Sequence, residues 1–221
     1  FASNTVLAEC FNTQEVVNHA GRLLAIGSKE KTLDVLLRHA ERDGVTSPLA
    51  RQIALAYAIS EKDYAKALSY HWQADLLQAS TADELREMAL CCNKTGRHNE
   101  EMTYLQRILA MEPDSMACIS GLAHLHYKQG DYEKSKEYLF KLCYEHPDVP
   151  PIWGQLILAE LHLAHMEQAE KHLKKMLEEH VDSPITHIAA GCYYFLNKNI
   201  SKTLQHVKRL SAEEQLTFQH T

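Results

Sequence analysis

The sequence predicts an all-α fold, a superhelical solenoid of antiparallel helix pairs, and three observations predict it. Lys-Thr-Gly at 94–96 and Lys-Gln-Gly at 128–130 stand 34 residues apart, as do Pro113 and Pro147; a fixed period in this range marks a chain of stacked copies of one unit. Within the period, apolar residues recur at the three-four spacing of a helical face, not at the alternation of a strand. A glycine separates the two apolar runs and a proline follows the second, so each unit ends one helix, turns, and ends another.

Taken in order, residues 1–13 are expected to be the end of a preceding helix or an N-terminal cap. Six blocks follow with no insertion: 14–47, 48–81, 82–115, 116–149, 150–183 and 184–217. In 116–149 the first helix is carried by Ile119, Leu122, Ala123 and His126, the turn by Gly130, the second helix by Leu139 and Leu142, and the exit by Pro147. Block 82–115 repeats this with Leu85, Met88, Ala89 and Cys92, then Gly96, then Leu105 and Ile108, then Pro113. The other blocks are read through equivalent places. On the first helix a large residue is Val17, Leu85, Ile119 and Trp153, and a small one is Gly21, Ala89, Ala123 and Gly191. On the second, the small contact is Ala67, Ser135 and Ala169, and the next core places are Leu37, Leu105, Leu139, Leu173 and Val207. The last core place is Ala40, Ala74, Ile108, Leu142, Met176 and Leu210. Arg51 and His187 depart from the large place, Leu55 and Ile157 from the small one, and Leu33 and Glu101 from the second-helix contact. Ser211 and Glu214 form a possible capping box that opens a capping helix at 211–221, cut short at Thr221. With a start that is not Met, both ends read as cut from a longer protein.

On these residues the chain resembles the tetratricopeptide-repeat proteins, whose units are 34-residue helix–turn–helix pairs with large and small residues at set places on the first helix. The resemblance spans about nine tenths of the chain and implies a right-handed solenoid whose first helices line a concave groove. Some members hold a partner's C-terminal carboxylate with Lys, Asn and Arg on three successive first helices. The matching places here carry Asn18 and Arg22, then Ile53, then Asp83 and Glu87, which neither donate nor attract, so that mode is disfavoured.

Composition narrows the function. A net charge of −6 with no basic block argues against nucleic acid. No apolar run reaches the ~20 residues of a membrane span. Six cysteines without a C-x-x-C read as small buried hydrophobes in a reduced, cytoplasmic compartment. Among the fourteen histidines, His124 and His126 point away from each other on a helix. His162 and His165 have chelating spacing but straddle a helix end, and no metal or cofactor is expected. No nucleophile elbow, zinc-protease motif or phosphate loop occurs, so no catalytic residue is assigned.

The working surface is therefore expected in the groove. Its first two blocks offer Asn18, Arg22 and Gln52, and its central blocks are cationic and hydrogen-bonding, through Arg86, Asn93, Lys94, His124, Tyr127 and Lys128. Its C-terminal blocks are apolar, through Leu158, Leu161, His162, Ile188 and Phe195. A protein or peptide segment with acidic groups near the cations and apolar anchors further along is the expected partner. The same apolar end equally suits a capping helix or self-association. The leading reading is a non-enzymatic interaction scaffold; the alternatives are the targeting arm of a larger enzyme and a chaperone of secretion or assembly substrates.

Overall fold

The computed structural model describes residues 12–210, which form twelve α-helices and no strand. Of the segment 1–13, expected to end a preceding helix or cap the array, residues 1–11 lie outside the described residues, as does the capping helix at 211–221; Asn12 and Thr13 instead cap and open the first described helix. The chain divides into two compact units, Phe1–Pro113 and Asp114–Thr221. Unit 1 holds α1 (Thr13–Ala25), α2 (Lys29–Asp43), α3 (Ser47–Ala56), α4 (Tyr64–Leu77), α5 (Ala82–Lys94) and α6 (His98–Met111). Unit 2 holds α7 (Met116–Lys128), α8 (Tyr132–Glu145), α9 (Pro150–His162), α10 (Met166–Glu179), α11 (Pro184–Leu196) and α12 (Ile200–Val207). Consecutive helices pack as hairpins 1 to 6, from α1–α2 to α11–α12.

Local chemistry sets these boundaries. Asn12 with Glu15 and Thr81 with Glu84 form reciprocal capping boxes at the starts of α1 and α5. Asp63, Asp131 and Asn199 accept backbone N–H groups at the starts of α4, α8 and α12. The reversal between paired helices needs one residue at positive φ. Gly27, Gly96 and Gly130 supply it at 77°, 72° and 78°, whereas Lys62, Ala164 and Lys198 are held there at 52°, 57° and 57°.

One feature departs from a continuous 34-residue ruler. In hairpin 1 the most deeply buried residues are Val16, Ala20, Thr32, Leu36 and His39, each one place before the expected Val17, Gly21, Leu33, Leu37 and Ala40, although Leu33 is buried as well. In α3 they include Ala50 and Ala54, again one place before Arg51 and Leu55. In α4 the phase is regained, with Ala67, His71 and Ala74 buried. Between the two lies a π-helical turn, Tyr57–Glu61, at the end of α3. A π turn accommodates one more residue than the α-helix around it, so the extra residue is housed there. The energetics favour this solution. A fully buried Leu36 is worth roughly 2 kcal/mol, and Gly27 takes the positive φ that Ser28, the in-phase residue, would hold at a cost of about 1–2 kcal/mol.

The phase shift accounts for two of the departures, since Ala50 and Ala54 rather than Arg51 and Leu55 face the core. Arg51 instead pairs with Glu84 at 2.8 Å and donates to the Gln78 carbonyl at 3.2 Å. Glu101, 8% exposed, accepts from Asn93 Nδ2 at 3.0 Å. His187 meets His206 with their Nδ1 atoms 3.2 Å apart. Aromatic donors are likewise satisfied: Trp72 Nε1–H donates to Tyr104 Oη at 2.6 Å, and Trp153 Nε1–H to the Pro147 carbonyl at 2.8 Å.

Candidate partner-binding face

In unit 2 the turn after α7 brings rings together. Gly130 reverses the chain at φ 78° and Asp131 caps α8, so Tyr127 near the end of α7 and Tyr132 at the start of α8 face each other across the turn. Their rings meet edge to face at 5.2 Å. His162, at the end of α9, lies flat on Tyr132 with centroids 4.3 Å apart and planes 3° from parallel, and meets Tyr127 edge-on at 5.4 Å. Offset and edge-on pairs of this kind each add roughly 0.5–1.5 kcal/mol beyond burial, so the cluster is a rigid platform. Burial, with smaller contributions from the neighbouring Tyr132 and Cys192, pushes the Tyr127 phenol up to about 12, so it stays neutral. His162 remains exposed, as do His124 and Lys128, and Lys128 makes no ion pair with a described residue.

Three of the expected apolar anchors are not available. Leu158, Leu161 and Ile188 are 9%, 7% and 5% exposed. The cause for the first two is that α9 is covered by α8, α10 and α11 together, so its sequence is apolar all round, and for Ile188 that α11 packs on α9, α10 and α12. Phe195, 58% exposed, does stand free, with Leu196 beside it.

In unit 1 part of the expected cationic and hydrogen-bonding set is already engaged. Arg86 donates to Asp83 at 2.6 Å and pairs with Glu112, so its charge is compensated. Asn93 is held by Glu101. Lys94 and Arg22 are exposed without a described ion pair, and Asn18 accepts from Gln14 at 3.1 Å. Because the core of hairpin 1 and α3 runs one residue ahead, Asn18, Arg22 and half-buried Gln52 are turned about 100° from the groove places assigned to them.

Burial raises the thiols of Cys91 and Cys192 to about 11 and of Cys92 and Cys143 to about 12, which keeps them protonated and weakly nucleophilic. His162 and His165 diverge, the first onto Tyr132 and the second onto Lys136 Nζ at 3.4 Å. No three His, Cys, Asp or Glu side chains among the described residues are grouped to hold a metal. No described helix is long and apolar enough to cross a membrane.

Tyr132 was absent from the sequence-derived set because only first helices were assigned to the groove. Its signal was present: an aromatic directly after the Gly130-Asp131 turn, within reach of the preceding helix end.

These hairpins define the class of fold, an all-α stack of tetratricopeptide-type helix pairs. No family model and no curated protein matches the chain. Solved structures do. A MamA protein structure aligns over 76% of this chain and 91% of its own with a TM-score of 0.63 and 15% identity. MamA from Desulfovibrio magneticus, residues 41 to the end, aligns over 75% and 93% with a TM-score of 0.60 and 19% identity. PilF from Pseudomonas aeruginosa aligns over 94% and 96% with a TM-score of 0.59 and 13% identity. At these identities the likeness is one of fold.

Proposed function

We propose that the chain is a non-catalytic protein-interaction scaffold that holds an extended or helical segment of another protein on the face carried by α7, α9 and α11. The observation that carries this reading is the ring platform of Tyr127, Tyr132 and His162 next to Lys128, which makes no ion pair with a described residue. Rigid aromatics lose little entropy on contact and dominate binding hot spots. An acidic group of the partner is placed at Lys128 and a flat apolar group on the rings, with Phe195 as a further apolar contact. In unit 1, Lys94 is the cation left open to a partner. The helix-pair fold shared with MamA and PilF supports a scaffold over an enzyme, and the protonated thiols agree with it. The exposed Phe195 and Leu196 also support self-association through that end of the chain.

Panning a displayed peptide library on the wild type and on the Lys128→Glu and His162→Ala variants tests the reading. Acidic peptides are expected to enrich on the wild type and to bind each variant roughly tenfold more weakly, a loss of about 1.4 kcal/mol. Circular dichroism of the variants should be unchanged. Peptides that bind all three proteins equally would overturn the assignment.

A further inference from the structure

A cleft of about 270 Å³ opens between α10, α11 and α12. It shares no residue with the ring platform. Leu173 and Leu177 line it with apolar surface, and Tyr193 and Tyr194, edge to face at 5.3 Å, contribute aromatic surface. Its one acid, Glu170, is already engaged: it accepts from Lys174 Nζ at 2.8 Å and from the Tyr193 hydroxyl. Lys202 is the charge left over. Its Nζ lies 4.7 Å from the centre of the Tyr194 ring and makes no ion pair with a described residue. Asn199 accepts the Lys202 backbone N–H at 3.2 Å, which fixes the helix turn that presents it.

The repeat supplies an internal comparison. One repeat earlier, the places of Tyr193, Tyr194, Asn197 and Lys202 hold Ala159, Glu160, Leu163 and Gln168. Hairpin 5 packs without these groups, so packing one hairpin on the next does not require them. An aromatic wall, an apolar floor and an ammonium that feels Glu170 at a distance but forms no ion pair with a described residue are, in a single cleft, the parts of a site for an organic carboxylate.

We propose that this cleft is a second binding site, which takes a glutamate or aspartate side chain beside a bulky apolar residue in a partner peptide. The carboxylate pairs with Lys202 and the apolar residue lies against Leu173, Leu177 and Tyr193. The test is a ¹⁵N NMR titration of the whole chain with N-acetyl-Glu-Phe-amide, with N-acetyl-Gln-Phe-amide and with benzoate. The Glu peptide is expected to shift the amides of residues 193–202 saturably, and the Gln peptide to bind roughly three- to fivefold more weakly, the range of a half-exposed ion pair. Lys202→Met should weaken the Glu peptide to the level of the Gln peptide. Glu170→Gln should tighten it several-fold by releasing Lys174 and removing a like charge. Unperturbed spectra of both variants elsewhere establish that they are folded. Absence of saturable shifts, equal affinity for the two peptides, or an unchanged Lys202→Met titration would each overturn the site. Benzoate binding as tightly as the Glu peptide would overturn the peptide as its occupant.

Discussion

His71 occupies a place where α6, α8 and α10 carry Leu105, Leu139 and Leu173, and replacing it tests how burial is balanced in unit 1. Its side chain is 2% exposed, with Nε2 3.6 Å from Glu87 Oε2. Burial lowers its pKa from 6.5 to about 4; the Glu84 charge opposes the shift and Arg51 adds to it. The unfolded chain therefore binds the proton that the folded chain refuses. Stability is complete above pH 6.5 and falls as the pH drops from 6.5 towards 4. At 1.36 kcal/mol per unit the full step is about 3 kcal/mol, of which about 2 kcal/mol is lost by pH 5. In a Trp153→Phe background, Trp72 is the sole tryptophan and reports on unit 1. Urea unfolding followed by its fluorescence at pH 7.5 and pH 5 should show His71 proteins losing about 2 kcal/mol more than His71→Leu proteins. Equal losses in the two would refute the premise that a neutral buried imidazole sets this part of the acid response.

The other predictions concern the charges and turns. Asp75 accepts from both Arg107 Nη atoms at 3.0 and 3.1 Å and from the Ser80 N–H at 2.9 Å, and Arg107 leads the causes that hold its carboxyl down at about 2. This contributes stability above pH 3.8 that is lost as the pH falls through 2. Allowing for solvent screening it amounts to about 1–2 kcal/mol, and Asp75→Asn should remove it in acid-unfolding curves. Ala164 holds φ 57° where hairpins 3 and 4 have glycine, so Ala164→Gly should raise stability by up to about 1 kcal/mol in thermal melts. Gly154→Ala places a Cβ against Ile185 Cγ1; it should cost roughly 1–3 kcal/mol and be relieved in the double variant with Ile185→Ala. Deleting Ile59 from the π turn should leave the circular dichroism helical and unit 1 folded, because both flanking helices keep their phase in a regular α-helix.

Much of the fold was legible because a 34-residue recurrence of apolar residues is a property of the chain itself. Leu85, Ile119, Ala123, Leu139, Leu142 and Met176 are buried where the recurrence places them. The one-residue offset of hairpin 1 was not, because a π turn has no composition of its own. Tyr57–Glu61 reads as an ordinary helix end. Two clues pointed to the offset without fixing it. Gly27 stands one residue early against Gly96 and Gly130, and Arg51 and Leu55 are poor core residues whose predecessors, Ala50 and Ala54, are good ones.

The partner face was less legible, for reasons that differ between residues. The sequence orders helix faces by period, but exposure depends on how many neighbours a helix has. Leu158, Leu161 and Ile188 fall on an inner face by period and are covered because α9 and α11 each have three packed neighbours. Charge has the same limitation: Arg86 counts as a cation in the sequence, and Asp83 and Glu112 neutralise it in space. The residues that survive both tests are Tyr127, Lys128, His162 and Phe195 in unit 2 and Lys94 in unit 1. The first and third meet each other edge-on and both pack on Tyr132, which lies on a second helix. In the proposed face the turn that closes a hairpin contributes along with its first helix, and substitution of Tyr132, just after that turn, should separate partner binding from folding.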